Sequence, residues 1–343
     1  MKMDEHCDHC EPKLWHTEKL HIFGIILIAV LIASYSITSL NPLFDALTEY
    51  IHLIWWAVLL GLFIGGLIDY FVPKEYITKV LANKRRRTIF YAVGLGFLMS
   101  ACSHGILAIS MELYKKGASV ASVIAFLLAS PWANMSITIL LFSFFGVKAF
   151  FIILAAIIIA IITGLIFQVL ERKNMVEKSR AVSVSKTFSI KKDVAKRWKS
   201  YVFTIQSLIV MTKNVLIGMY DLAKMVLWWI ILGVMLSALA RVYVPADFFM
   251  NYLGATVLGL LTTLALATII EVCSEGSSPM AFEIFKQTGA FGNSFVFLMA
   301  GVVTDYTEIG LIWSNIGRRA ALWLVAIAVP LVIIFGLLFN AFL

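Results

Sequence analysis

Runs of about twenty apolar residues recur along nearly the whole chain, beginning with Ile22 to Leu40 and Ile51 to Val72. About twenty such residues in a helix cross the ~30 Å hydrocarbon layer of a bilayer. Only helices and closed barrels satisfy their own backbone polar groups at that depth. With 61% hydrophobic residues, 14% charged and a mean hydropathy of +0.92, the chain carries more apolar surface than a water-soluble core absorbs. One integrated all-α polytopic membrane domain is expected. The net charge of +8 lies between the apolar runs, so it reads as topology and not as a nucleic-acid surface. The first apolar run lacks the short core and small-residue cleavage site of a signal peptide and reads as a retained helix.

A shift of about 171 positions lays the chain on itself. Val72-Pro73 falls on Val244-Pro245, Cys102-Ser103 on Cys273-Ser274, Gly105 on Gly276, Glu112 on Glu283, Phe126-Leu127 on Phe297-Leu298, and Asn134 on Asp305. Apolar chains align Leu with Leu by chance, but not Cys-Ser-x-Gly with Cys-Ser-x-Gly and Glu with Glu. Two copies of one helical unit are expected.

Basic loops stay on the cytoplasmic side. Lys74 to Arg87 and the linker from Arg172 to Lys199 are strongly basic and are expected inside, with the N-terminal arm, while Asn41 to Tyr50 is expected as an outer loop. The equivalent of the first basic loop, Pro245 to Tyr252, has no Lys or Arg and is expected outside. Equivalent loops on opposite sides imply inverted-topology repeats. An even number of crossings must then separate Thr88 from Leu170, although hydropathy suggests three segments. The expected solution is a re-entrant helical hairpin at Ser119 to Phe145, entering from outside and breaking at Ser130 to Asn134, with an inverted copy breaking near Gly301 to Asp305. Lys115-Lys116 would then lie outside, against the trend. The expected plan is an arm over 1–21, a first span and outer loop over 22–50, repeat 1 over 51–170, a basic linker and interfacial helix over 171–221, and repeat 2 over 222–343.

Broken helices at membrane depth survive only where they line a cavity, so the breaks mark candidate sites. Cys102, Ser103 and His104 pair with Cys273, Ser274, Glu275 and Ser278; Ser130, Pro131 and Asn134 pair with Thr304 and Asp305. Thiolates select soft metals and metalloids. The plainer reading of a buried cysteine is a small hydrophobe, but a pair at repeat-equivalent places favours a pathway role. Acids in apolar segments are costly and functional by default. Because burial raises a carboxyl pKa, Glu275 and Asp305, then Glu271 and Glu308, are candidates for binding and releasing a coupling proton. Glu112 and Glu283 read as interfacial acids reaching water. The arm His6-Cys7-Asp8-His9-Cys10 reads as a flexible metal-chelating segment or an unstructured tail, since a closed zinc site needs a second ligand pair.

Cys102 to Asn134, with Lys116-Gly117-Ala118-Ser119 and Ala125 to Pro131, resembles the first signature of the predicted permease family that includes organoarsenical efflux permeases and related metal exporters. Val272-Cys273-Ser274 with Ser278-Pro279, then Phe297 to Gly301, resembles its second signature. The resemblance implies export of trivalent organoarsenicals or similar thiol-reactive compounds, driven by an ion gradient. The chain departs from the pattern at His104 and Ala108, where relatives often have a second Cys and a Pro, and at Val302 to Asp305, which lacks a Pro-containing turn.

The expected function is a secondary-active permease of the plasma or inner membrane, its N-terminus cytoplasmic. Its partners would be the bilayer, a small thiophilic solute or metal, a coupling proton and, in assembly, a second copy. No cofactor and no enzymatic activity are expected. A membrane thiol oxidoreductase and a channel for a small polar solute are the rival readings; no Walker-type loop, Gly-x-Ser-x-Gly or His-Glu-x-x-His is present.

Overall fold

The computed structural model describes residues 13–71, 81, 87–96, 99, 103–115, 117–177, 205–270 and 273–343. These residues are helical without strands: α1 (Lys13–Ser36), α2 (Asn41–Phe71), α3 (Arg87–Gly96), α4 (Ser103–Lys115), α5 (Val120–Ala133), α6 (Met135–Phe145), α7 (Ala149–Arg172), α8 (Ile205–Tyr243), α9 (Ala246–Leu253), α10 (Val257–Ile270), α11 (Ser274–Thr288), α12 (Phe291–Val303), α13 (Tyr306–Asn315) and α14 (Arg318–Phe342). Among the described residues six stretches are long and apolar enough to cross a membrane: Lys19–Ser36, Thr38–Ile68, Met135–Arg172, Leu208–Tyr243, Phe291–Asn315 and Arg318–Phe342. A seventh candidate is the bent pair Ala246–Leu253 and Val257–Ile270, which turns by 106°. Large apolar side chains such as Ile25, Tyr35, Trp55, Val257 and Ile269 stay exposed on the bundle, as a lipid-facing surface requires.

The element order repeats with the offset read in the sequence. Ser103, Val120 and Met135 start α4, α5 and α6; Ser274, Phe291 and Tyr306, each 171 positions later, start α11, α12 and α13. Packing repeats too, with α5 against α3, α4 and α7 in the first half and α12 against α10, α11 and α14 in the second.

Polar contacts sort the helix ends into two ends of the bundle. At one, Glu49 pairs with Arg241 and Lys286, and Lys148 donates to the carbonyl of Leu343 at 2.7 Å. Lys148 also lies over the rings of Phe285 and Phe291. At the other, the Val120 amide donates to Glu171, and the amides of Arg319 and Ala320 donate to Glu177. The second end carries the basic residues Arg172, Lys173, Arg318 and Arg319.

These contacts correct the expected position of the chain reversal. The break at Asn134 exists, but α5 and α6 run through it from the Glu171 end to the Lys148 end. Likewise Phe291–Asn315 is one apolar span broken at Thr304 and Asp305, not a return. The reversal lies earlier in each half. Ile89 and Ala125 both face Gly164, and Gly96 abuts Ser130, so α3 runs parallel to α5. Because α4 joins α5 through a tight turn at Gly117 (φ 97°), α4 runs antiparallel to both. In the second half Asn293 reaches Thr263, and Thr268 meets Thr304, so α10 parallels α12, while α11 turns back at Gly289 (φ 66°). Hydropathy measures apolar length and not direction. Helices of 10 and 13 residues, about 15 and 20 Å long, total what one full span would. This placement puts Lys115 at the Glu171 end, with Arg172, Lys173, Arg318 and Arg319.

Two smaller expectations also change. The Asn41 to Tyr50 stretch is not a loop but the start of α2: Asn41-Pro42 suits a helix beginning, and Leu43, Ala46, Leu47 and Tyr50 form one buried face at helical spacing. The expected interfacial helix ending near residue 221 is part of the continuous 39-residue α8, with Lys213 and Asn214 exposed on its outer side.

Candidate functional site

Each half contributes two helix beginnings to the middle of the bundle. α4 starts at Ser103 and α11 at Ser274, where the hairpins turn back; α6 and α13 start at the breaks. The halves interlock here, α11 against α6, α4 against α13, and α5 against α12. Helix N-termini present amides and the positive end of the helix dipole, so the centre favours acids or anionic groups.

The breaks form because short polar side chains cap the next helix. Asn134 (φ −73°, ψ 149°) accepts the amide of Ile137 at 2.9 Å through Oδ1. Asp305 does the same work for α13, accepting the amides of Thr307 at 2.6 Å and Glu308 at 3.0 Å and the Thr307 hydroxyl. Thr304 leaves the helix beside it and shares a hydroxyl contact of 2.7 Å with Thr268. Asp305 is 3% exposed and Glu308 in the next turn 1%. Pro131 lies inside α5, whose start is capped by Ser119.

At the start of α11, Cys273 is buried and its Sγ donates to Glu275 Oε2 at 3.0 Å. Glu275, itself 3% exposed, borders a cavity of about 20 Å³ with Ala57, Gly61, Ser136, Leu140 and Val226. The surface that lines it is apolar. Ser136, in the first turn of α6, donates to the Gly61 carbonyl at 2.9 Å. The cavity therefore joins the break of the first half, the hairpin of the second, and α2 and α8. Ser278 donates back to the Ser274 carbonyl. The hydroxyls of Ser130 and Ser274 and the indole N–H of Trp132 are buried without hydrogen-bond partners among the described residues.

α8 reaches this centre at close range. A Cβ added at Gly233 would lie 2.1 Å from the Gly276 carbonyl oxygen, so only glycine admits this approach.

Of the expected site residues, the structure brings Cys273, Ser274, Glu275 and Ser278 together on one hairpin tip, and Thr304, Asp305 and Glu308 on one break. The helix positions of Ser103 and His104 are defined but not their side chains. Cys102, Glu271 and the arm His6, Cys7, His9 and Cys10 lie outside the described residues. Among the described residues no group of three metal-ligating side chains exists. Gly61, Ser136 and Gly233 were not foreseen; a small residue in an apolar run carries no signal until its neighbour is known. Glu283 departs from its expected place in water. It is 1% exposed, with the Tyr50 hydroxyl and Gln287 Nε2 both donating to its carboxylate.

A family profile described as "Predicted permease" matches residues 36–341. The Bacillus subtilis "UPF0718 protein YcgR" is 24% identical over 311 residues, 89% of this chain and 98% of the relative. A Streptococcus mutans protein, provisionally named a subunit of a two-component membrane permease complex, is 22% identical over 82% of this chain and 89% of its own length. A provisionally named permease of Mycobacterium tuberculosis is 22% identical over 68% of this chain and 60% of its own. No solved structure is significantly similar.

Proposed function

The chain belongs to the predicted permease family and is a multi-pass membrane transporter, and from that premise we propose that it exports a small thiophilic solute, such as a trivalent organoarsenical or a soft metal ion, by proton-coupled alternating access. The observation that carries the proposal is Cys273 and Glu275 on one buried hairpin tip, with Glu275 and Ser136, at the break of the other half, bordering the same small cavity. A thiol supplies a soft ligand, and a buried carboxyl beside it exchanges a proton as the solute binds and leaves. Cys102, the repeat equivalent of Cys273, supplies the second thiol in this reading.

The reading includes inverted halves, with the Glu171 end cytoplasmic. Supporting it, the turn at Gly117 belongs to the end with Glu171, while its equivalent at Gly289 belongs to the end with Lys148. The basic segments at the Glu171 end suit the positive-inside trend. Single-cysteine tagging should therefore find 74–87 and Gly117 on one side of the membrane and 245–252 on the other. Finding 74–87 and 245–252 on one side would remove the inversion.

A sensitive host expressing the chain should gain resistance to one class among arsenicals, organomercurials, copper and zinc. Cys102→Ser with Cys273→Ser should abolish it with normal protein in the membrane, the double substitution lowering solute affinity by about a hundredfold on the scale of lost binding contacts. Unchanged resistance in that double variant would take the thiols out of the mechanism.

A further inference from the structure

Among the described residues, repeat-equivalent helices pack alike with one exception. α6 against α11 is matched by α13 against α4, and the neighbours of α5 by those of α12. The equivalent helices α2 and α8 pair with each other but lean to one side: α2 lies along α6 and α8 along α11. The counterpart packings, α8 along α13 and α2 along α4, have no comparable extent among the described residues. Two units of one plan cannot hold a one-sided arrangement symmetrically, so the exchanged arrangement is the natural second state of the same contacts.

The present side is closed near the Glu49 end by two layers. Tyr50 packs edge-on to Phe144 and Phe282, which contact each other at 5.2 Å. Outside them the Tyr50 hydroxyl donates to Glu283, and Glu49 pairs with Lys286 at 2.6 Å and Arg241 at 2.7 Å. Glu283 is two turns from Glu275 on the same helix, so this closure stands directly between the cavity and that end.

Subtracting or adding 171 gives the counterpart positions: Glu283 becomes Glu112, Lys286 becomes Lys115, and Glu49-Tyr50 becomes Tyr220-Asp221. Glu112 and Lys115 are exposed near the end of α4. On α8, Asp221 pairs with Lys224 at 2.8 Å. α4 and α8 run in opposite directions, and both pairs are spaced i, i+3, or about 4.5 Å along a helix. The offset by itself sets Lys115 against Tyr220 and Glu112 against Asp221, two acids; a slip of one residue between the antiparallel helices relieves that repulsion and sets Lys115 beside Asp221 and Glu112 beside Lys224, opposite charges in both pairs.

We propose that the chain carries two mutually exclusive latches: Glu49, Tyr50, Lys286 and Glu283 closing one end, as seen here, and Lys115 and Glu112 of α4 engaging Asp221 and Lys224 of α8 to close the other. The proposal rests on the alternating-access reading above. It names the residues that decide which end of the site is open.

Cross-linking in native membranes tests it without any transport assay, so loss of transport leaves the result readable. The full chain carrying Glu49→Cys with Lys286→Cys should cross-link readily with a short thiol-specific reagent. The pair Lys115→Cys with Asp221→Cys should cross-link well above a control pair on α1 and α14. Adding Tyr50→Phe to that second pair weakens the first latch by one charge-assisted hydrogen bond and should raise the yield about tenfold. Glu49→Gln, an exposed change that spares the aromatic layer, should act in the same direction. Cross-linking of the second pair at the control level, or a yield unmoved by both first-latch variants, overturns the proposal. Silence of the first pair overturns it as well.

Discussion

Glu275→Gln is expected to reduce gradient-driven transport by a hundredfold or more while leaving the amount of protein in the membrane unchanged. The two outcomes separate because the substitution relieves one cost and removes one function. A charge held at mid-bilayer costs about 2.5–3.5 kcal/mol on insertion scales, so a neutral isostere of the same size should not destabilise the bundle. The change costs Cys273 its carboxylate acceptor at 3.0 Å and removes the ionisable group that, among the described residues, borders the cavity with Ser136. Glu275→Asp keeps the acid but draws it back by one methylene and should retain part of the activity. Uptake by proteoliposomes with and without an imposed pH gradient is the measurement. Uptake in Glu275→Gln that still follows the gradient would assign coupling elsewhere, with Asp305 and Glu308 the next acids to replace.

Gly233→Val is expected to cost the folded protein about 3 kcal/mol, the upper part of the range for overpacking a dense core. The reason lies in which atom opposes the new side chain. A Cβ at this position meets the carbonyl oxygen, carbonyl carbon and Cα of Gly276 at 2.1, 2.8 and 2.9 Å. Backbone cannot rotate aside as a flexible side chain does, so α8 or α11 must shift as a body. The shift is transmitted to Glu275, the adjoining residue, so the surviving protein should also transport poorly. Thermal unfolding in detergent reads the stability change. Gly94→Ala is the matching control: a Cβ there has nothing within 4 Å, and alanine favours the helix by about 1 kcal/mol over glycine. Equal losses from both substitutions would mean that glycine content, and not the α8–α11 contact, decides the result.

Much of the fold was legible because the bilayer enforces a coarse code. Apolar length reported the spans, and the 171-residue offset reported the repeat down to the first residue of α4, α5 and α6 and of their counterparts. The breaks were legible for a related reason. Asn134 and Asp305 are short polar residues between apolar runs, where a side-chain oxygen satisfies the amides a broken helix exposes. The direction of the chain was not legible. A 13-residue helix that turns back and one half of a broken span have the same composition, so the reversal between α3 and α4 was assigned instead to Ser130 to Asn134. Glu283 was misjudged for a similar reason. Its i+3 lysine suggested water, but Lys286 turns away to Glu49, and Glu283 itself meets Tyr50, which is 233 positions earlier.

The amino-acid sequence alone determined that this chain is a helical membrane protein with a duplicated order of helices and polar breaks at Asn134, Cys273 and Asp305, since apolar length, helix-breaking residues and self-similarity are all local in the chain. Only the tertiary structure decided which breaks are reversals and which are kinks, that Glu275 and Ser136 from the two halves border one cavity, and that α2 and α8 lean to one side. Those are relations between surfaces far apart in sequence, set by close backbone approach at glycines and by pairing of buried polar groups, and nothing in either segment alone records its partner.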